Sequence, residues 1–234
     1  MRLASSVFAV LAVLLAGVAW GQSKNLAPGF TSLPRGAAVV VMPTDIELFS
    51  ISGGGVVEPK ADWTEAAMQH FKTALRDKKQ KLGLRVLELA EKDADELAEV
   101  NTLHAAVARA IALHHFGSGA LRETQLPTKE GKLDWSLGEP VQAIKKLTGA
   151  DYALFSWVRD SYASAERQAA MVVLAFVGVG LGGGMQVGYA SLVDLNTGQV
   201  LWFNPLLRGR GDLREADKAA ETVEALLEQF PVAK

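Results

Sequence analysis

The side chains able to do chemistry in this chain are few and do not gather. Its four histidines, His70, His104, His114 and His115, all fall in stretches of helical periodicity. No two stand at the i, i+4 spacing that lets one helix present two ligands to one metal. His104 and His115 share a helix face but stand about 16 Å apart at a rise of 1.5 Å per residue. His114 and His115 sit at a helix C-terminus, where an imidazolium meets the negative end of the dipole. There is no cysteine, which removes thiol catalysis, Cys-based zinc sites, disulfides and a lipid-modified N-terminal cysteine. Ser156, Ser161, Ser164 and Ser191 lack the G-x-S-x-G pattern of a nucleophile elbow. The glycines Gly178, Gly180 and Gly182 to Gly184 have the composition of a phosphate-cradling loop, but no Lys or Ser/Thr follows Gly184 and their neighbours are apolar. No metal, cofactor or nucleotide is expected, and the reading is of a protein that is not an enzyme.

The elements that would position a site account for many of the carboxylates. Four helix starts carry a capping residue followed three positions later by Glu: Asp62 and Glu65, Asp93 and Glu96, Ser136 and Glu139, Asp212 and Glu215. The cap at Asp212 also makes the adhesion-like tripeptide Arg210-Gly211-Asp212 accidental. Helix 62–81 places Ala67, Phe71, Ala74 and Leu75 on one side. Helix 93–116 repeats Leu97, Val100, Leu103, Val107 and Ile111. A helix covers 137–147, and helix 213–230 repeats Leu213, Ala216, Ala220, Val223, Leu227 and Phe230. Strands are expected at 37–42, 84–89 and 151–159, with Leu154 and Val158 facing opposite to Ala153 and Phe155. A hairpin spans 188–204 about Asn196-Thr197-Gly198, and 46–55 reads as a loop or ragged edge hairpin. The order implies one α/β domain over 37–234, a mixed β-sheet covered by helices.

Two apolar runs interrupt this pattern. Residues 1–21 have Arg2, an apolar stretch from Val7 to Val18 and the small residues Ala19 and Gly21, the pattern of a cleavable export signal; retention as an N-terminal anchor is the alternative. Residues 22–36, with prolines, glycines and Ser/Thr, read as a flexible tether, which makes the domain periplasmic or secreted. The second run, the insertion 168–186, holds no charged residue from Gln168 to Val193. As a helix of 17 residues it would reach about 25 Å, short of a ~30 Å hydrocarbon core. Three readings remain for it: a core helix packed through its glycines, a loop dipping into a bilayer or a partner, and an oligomer contact using Gly180, Gly184 and Gly188. Its contact residues would be Met171, Val173, Phe176, Val177 and Leu181, rimmed by Arg159 and Arg167. The near-neutral charge, 24 Lys and Arg against 26 Asp and Glu, gives nucleic acid no attraction. Arg208, Arg210 and Arg214 form too small a patch.

Three strings carry a resemblance: Val39-Val40-Val41-Met42-Pro43, the run from Lys146 to Leu154, and the run from Ser191 to Trp202. Over residues 37 to 230 the chain resembles the periplasmic α/β module of the curli secretion channel subunit, the penicillin-binding-protein activator lipoproteins and the N-terminal domain of the Tol propeller protein. The resemblance implies a non-catalytic envelope part that assembles or docks on partners. The chain departs from that group in lacking the lipidated cysteine many members carry, and in the apolar insertion. The leading expectation is an exported binding or assembly module acting through that insertion on an envelope protein or a membrane surface. The alternatives are an exported hydrolase using His115 or His70 with a carboxylate, and an oligomeric membrane-inserting subunit.

Overall fold

The computed structural model describes residues 23–81, 84–89, 91–117, 124–176, 178–209 and 211–232. The leader, Gly83, Val177 and Arg210 lie outside the described residues.

Seven strands form one mixed sheet: β1 (Ala38–Val41), β2 (Asp45–Ile51), β3 (Val57–Pro59), β4 (Arg85–Glu88), β5 (Tyr152–Ala163), β6 (Gln186–Asp194) and β7 (Val200–Arg208). The long strand β5 organises it. One edge pairs antiparallel with β6 from Tyr152 to Asp160, and β6 pairs antiparallel with β7. The other edge is shared: β1 lies parallel beside Tyr152 to Leu154, and β2 parallel beside Trp157 to Ala163. Beyond β1 stands parallel β4, and beyond β2 stands antiparallel β3, so the sheet forks.

Among the described residues six helices dress the sheet: α1 (Ala61–Lys81), α2 (Glu91–Ala94), α3 (Ala98–His114), α4 (Gln142–Thr148), α5 (Ala165–Ala175) and α6 (Ala216–Leu226). Ala67, Phe71 and Leu75 of α1 meet Ala219, Val223 and Leu226 of α6 over Leu48, Leu154, Val158 and Leu192. On the opposite face Val100, Ala108 and Ile111 of α3 and Ile144 of α4 cover Val40, Ala153, Phe155 and Phe203. Period-2 alternation along β5 thus feeds two separate cores, as expected of a sheet covered on both faces.

Several local expectations shift. None of the four capping pairs starts its helix as proposed. Helix α1 begins earlier because β2 sets its entry: Lys60 N donates to Leu48 O at 2.8 Å, and Thr64 Oγ1 accepts from Leu48 N at 2.9 Å. Asp93 lies inside α2, and the expected single helix from 93 is broken by a 3-10 turn, Asp95–Leu97. Ser136 closes a turn onto Gly138 N at 3.0 Å and bridges Gln199, three residues ahead of the 3-10 turn Glu139–Val141 that leads into α4. Asp212 is taken by Arg214, whose backbone N donates to it at 3.0 Å and whose Nε donates at 2.8 Å, so α6 starts at Ala216. Its buried stripe is Ala219, Thr222, Val223 and Leu226, with Ala216 and Ala220 exposed. Residues 45–51 form a strand parallel to β5 inside the sheet rather than a loop.

The tether is also corrected. From residue 23 the chain is fastened along β7, with Ala27 N donating to Leu201 O at 2.9 Å and Phe203 N to Asn25 O at 3.0 Å, and then to the segment after α6, with Leu33 N donating to Pro231 O at 3.1 Å. Ala27 and Leu33 are buried. Covering an edge strand satisfies backbone groups that would otherwise invite pairing with another chain.

Candidate functional site

Strands β5 and β6 are antiparallel neighbours, which a two-residue turn could join. Instead the chain runs from Ser164 through α5 and an irregular glycine-rich return to Met185 before β6 begins. Ser164 starts α5 with extended backbone, its Oγ accepting from Arg167 N at 3.3 Å. This side-chain cap carried no capping-box glutamate and was not among the expected starts. Gln168 Nε2 then donates to Ala163 O at 3.0 Å. The return is laid against β5 by Ala163 N to Gly183 O at 2.7 Å and Ser161 N to Met185 O at 3.2 Å.

No residue of α5 is buried. Val173 is 66% and Phe176 88% exposed, beside exposed Val172, Val179 and Met185, whereas Met171 and Leu181 are half-buried. The core-helix reading of this run is therefore overturned, because α5 lies at the end of the sheet instead of on either face. The helical spacing on which the oligomer-contact reading rested does not hold. The chain leaves the helix after Ala175, and Gly184 and Gly188 serve the β5–β6 approach: a Cβ on Gly184 would stand 2.0 Å from Ser161 O, and one on Gly188 2.5 Å from Trp157 O. Val177 lies outside the described residues.

The two proposed rim arginines do different things. Arg167 Nε donates to Gly182 O at 2.9 Å and its Nη1 to Ser52 O at 3.4 Å, tying α5 to its own return and to the β2–β3 turn. Arg159 is paired elsewhere, with Asp45 at 2.8 Å and Glu47 at 3.2 Å on β2 and its guanidinium 4.8 Å from the Trp157 ring centre. It does not join the apolar surface.

Behind β5 lies a polar network that the sequence reading missed. Asp160 is buried and accepts from Tyr162 Oη and, at 2.8 Å, from Gln186 Nε2. Gln186 Oε1 accepts from Thr222 Oγ1 at 3.1 Å, and Leu213 N donates to Tyr162 Oη at 2.8 Å. Burial raises the Asp160 carboxyl above the ordinary carboxylate range, against the hydrogen bonds that favour its ionised form. Burial first, then the Asp160 contact, raises the Tyr162 phenol. The signal was present: Asp160 shares strand parity with Leu154 and Val158, the face that packs under α6. The network clamps β5, β6 and α6 at the end from which α5 springs.

Three of the four histidines are engaged by neighbouring groups. His104 is buried, its Nε2 2.6 Å from Ser191 Oγ and its ring stacked on Phe155 at 3.8 Å. Nε2 of His115 donates to Lys24 O at 2.8 Å, and His114 Nδ1 contacts Thr124 O at 2.5 Å. Both partners are backbone carbonyls rather than carboxylates. His70 is half-buried on α1. Among the described residues no group of three or more His, Cys, Asp or Glu side chains could hold a metal, and no helix is long and apolar enough to cross a membrane.

No family model matches the chain, and no curated protein does. Among solved structures it is similar to the PelC dodecamer from Paraburkholderia phytofirmans, at 14% identity over 87% of this chain and 93% of that one, TM-score 0.38. It is similar also to the LpoB C-terminal domain from Salmonella enterica, at 12% identity over 79% and 88%, TM-score 0.31. Lipoprotein GNA1162 from Neisseria meningitidis aligns at 14% identity over 83% and 96%, TM-score 0.34. Superpositions this loose carry neither function nor oligomeric state over to this chain.

Proposed function

We propose that this chain is an exported, non-catalytic binding or assembly module of the cell envelope, docking through α5 and the return loop behind it. The observation that carries this reading is the exposure of Phe176, at 88%, among exposed Val172, Val173, Val179 and Met185. Soluble monomers seldom leave a contiguous apolar surface of this kind uncovered. The connection serves no need of the sheet, since its two strands are adjacent. Its anchorage is polar, through Ser164, Arg167 and Gln168, which leaves its apolar side chains for a partner. The export-like leader supports the address. The irregular backbone from Gly178 to Met185 favours a protein partner over deep insertion, because hydrocarbon leaves unpaired backbone groups unsatisfied.

Fully burying a phenylalanine is worth about 1.5–3 kcal/mol, or about 10- to 100-fold in a dissociation constant. Val173→Asp with Phe176→Asp should therefore move the protein from the envelope-bound to the soluble fraction of lysed cells, with native circular dichroism and unchanged melting temperature. Unchanged partitioning, or loss of the folded state, overturns the reading.

A further inference from the structure

The fork in the sheet leaves a second feature, remote from α5. Between β1 and β2 the chain crosses the junction as Met42, Pro43 and Thr44, and no strand stands beside β5 there. On the α1 side of that crossing lies an open cleft of about 520 Å³, within the range of about 300–1,000 Å³ usual for small-molecule pockets. Met42 and Ile46 come from the fork, Met68, Phe71 and Leu75 from α1, and Leu89 from the end of β4. The cavity opens at the carboxyl ends of parallel β1 and β4, where open α/β sheets characteristically take ligands.

Its charge has one sign. Lys72 and Lys79, two turns apart on α1, line the cavity, and no Asp or Glu is among the described lining residues. Lys72 makes no ion pair with any described residue. A largely apolar wall with the Lys72 cation at one side suits a ligand with a hydrocarbon chain and an anionic head. We infer that the fork cavity binds a single-chain anionic amphiphile of the fatty-acid class, with Lys72 at its head group and Val41, Met68 and Leu89 along its chain.

The probe is cis-parinarate, a fluorescent fatty acid, titrated into the full purified protein and displaced by laurate or by dodecanol. Saturable one-to-one binding is expected, with laurate displacing the probe at least about tenfold better than dodecanol, a difference a lysine–carboxylate contact can supply. Met68 is 45% exposed, so Met68→Trp can fill the cavity mouth without disturbing the core; it should abolish binding. Lys72→Glu should weaken binding at least about tenfold. Phe176→Asp should leave it unchanged, which separates this site from adsorption on α5. Three results overturn the inference: no saturable binding, equal displacement by laurate and dodecanol, or binding that survives Met68→Trp but is lost in Phe176→Asp.

Discussion

His104 shows how position converts a reactive side chain into a structural one. Burial lowers its pKa from 6.5 to about 3, because the imidazolium would lose its hydration without gaining a counter-charge. A pKa depressed on folding means that the unfolded chain binds the proton more tightly. The stabilisation is therefore complete above about pH 6.5 and is lost as pH falls toward 3, at about 1.4 kcal/mol per pH unit. Urea unfolding midpoints should drop steadily between pH 6 and pH 4, and His104→Gln should remove most of that slope. Asp160 acts in the opposite sense. Its raised pKa favours the folded state below the unfolded carboxyl value, and that contribution is lost as pH rises through the folded value. Histidine type and spacing in the sequence excluded a metal pair; which histidine was sealed against Phe155 depended on the packing of α3 over the sheet.

At the scale of elements, the glycines after α5 separate into two kinds. Gly184 has φ +134 and meets Ser161 O, so a side chain there is strained by both backbone and space, whereas Gly180 faces nothing within 4 Å. Gly184→Ala should cost about 2–4 kcal/mol and Gly180→Ala within about 0.5 kcal/mol, measured by chemical denaturation. Equal effects would contradict the role of Gly184 in closing the return onto β5. The spacing of four that suggested a helix–helix contact is thus incidental. Glycine frequency was legible, but the reason for each glycine was not, because it depends on backbone from another strand. The same holds for helix starts: Asp212 satisfied a local capping rule, yet its carboxylate is held by both the backbone N and the guanidinium of Arg214, and α6 starts only at Ala216.

At the scale of the whole molecule, residues 23–36 are part of the domain. Leu33 is 1% exposed, in the core beneath Phe230 and Trp202. Leu33→Ala should cost about 2–5 kcal/mol, the range for a buried leucine, and should increase proteolysis at the N-terminal segment. A free tether would show no change in melting temperature. Composition favoured the tether because two prolines, two glycines and three Ser/Thr fall there, but a few apolar residues and the exposed edge of β7 suffice to dock it. The fork has a similar origin. Neither β1 nor β2 is unusual as a strand, and the gap between them exists only because both pair with the same edge of β5.

What the sequence alone determined was local and periodic: a mixed α/β fold, the buried faces of α1 and β5, the β6–β7 hairpin, and the lack of any cysteine. These follow from side-chain alternation and helical spacing, which neighbouring residues impose on one another. The tertiary structure alone decided which apolar run is covered. Hydrophobicity is the same for a core helix and a docking surface, and α5 remains exposed because it springs from the end of the sheet, where neither helical layer reaches it.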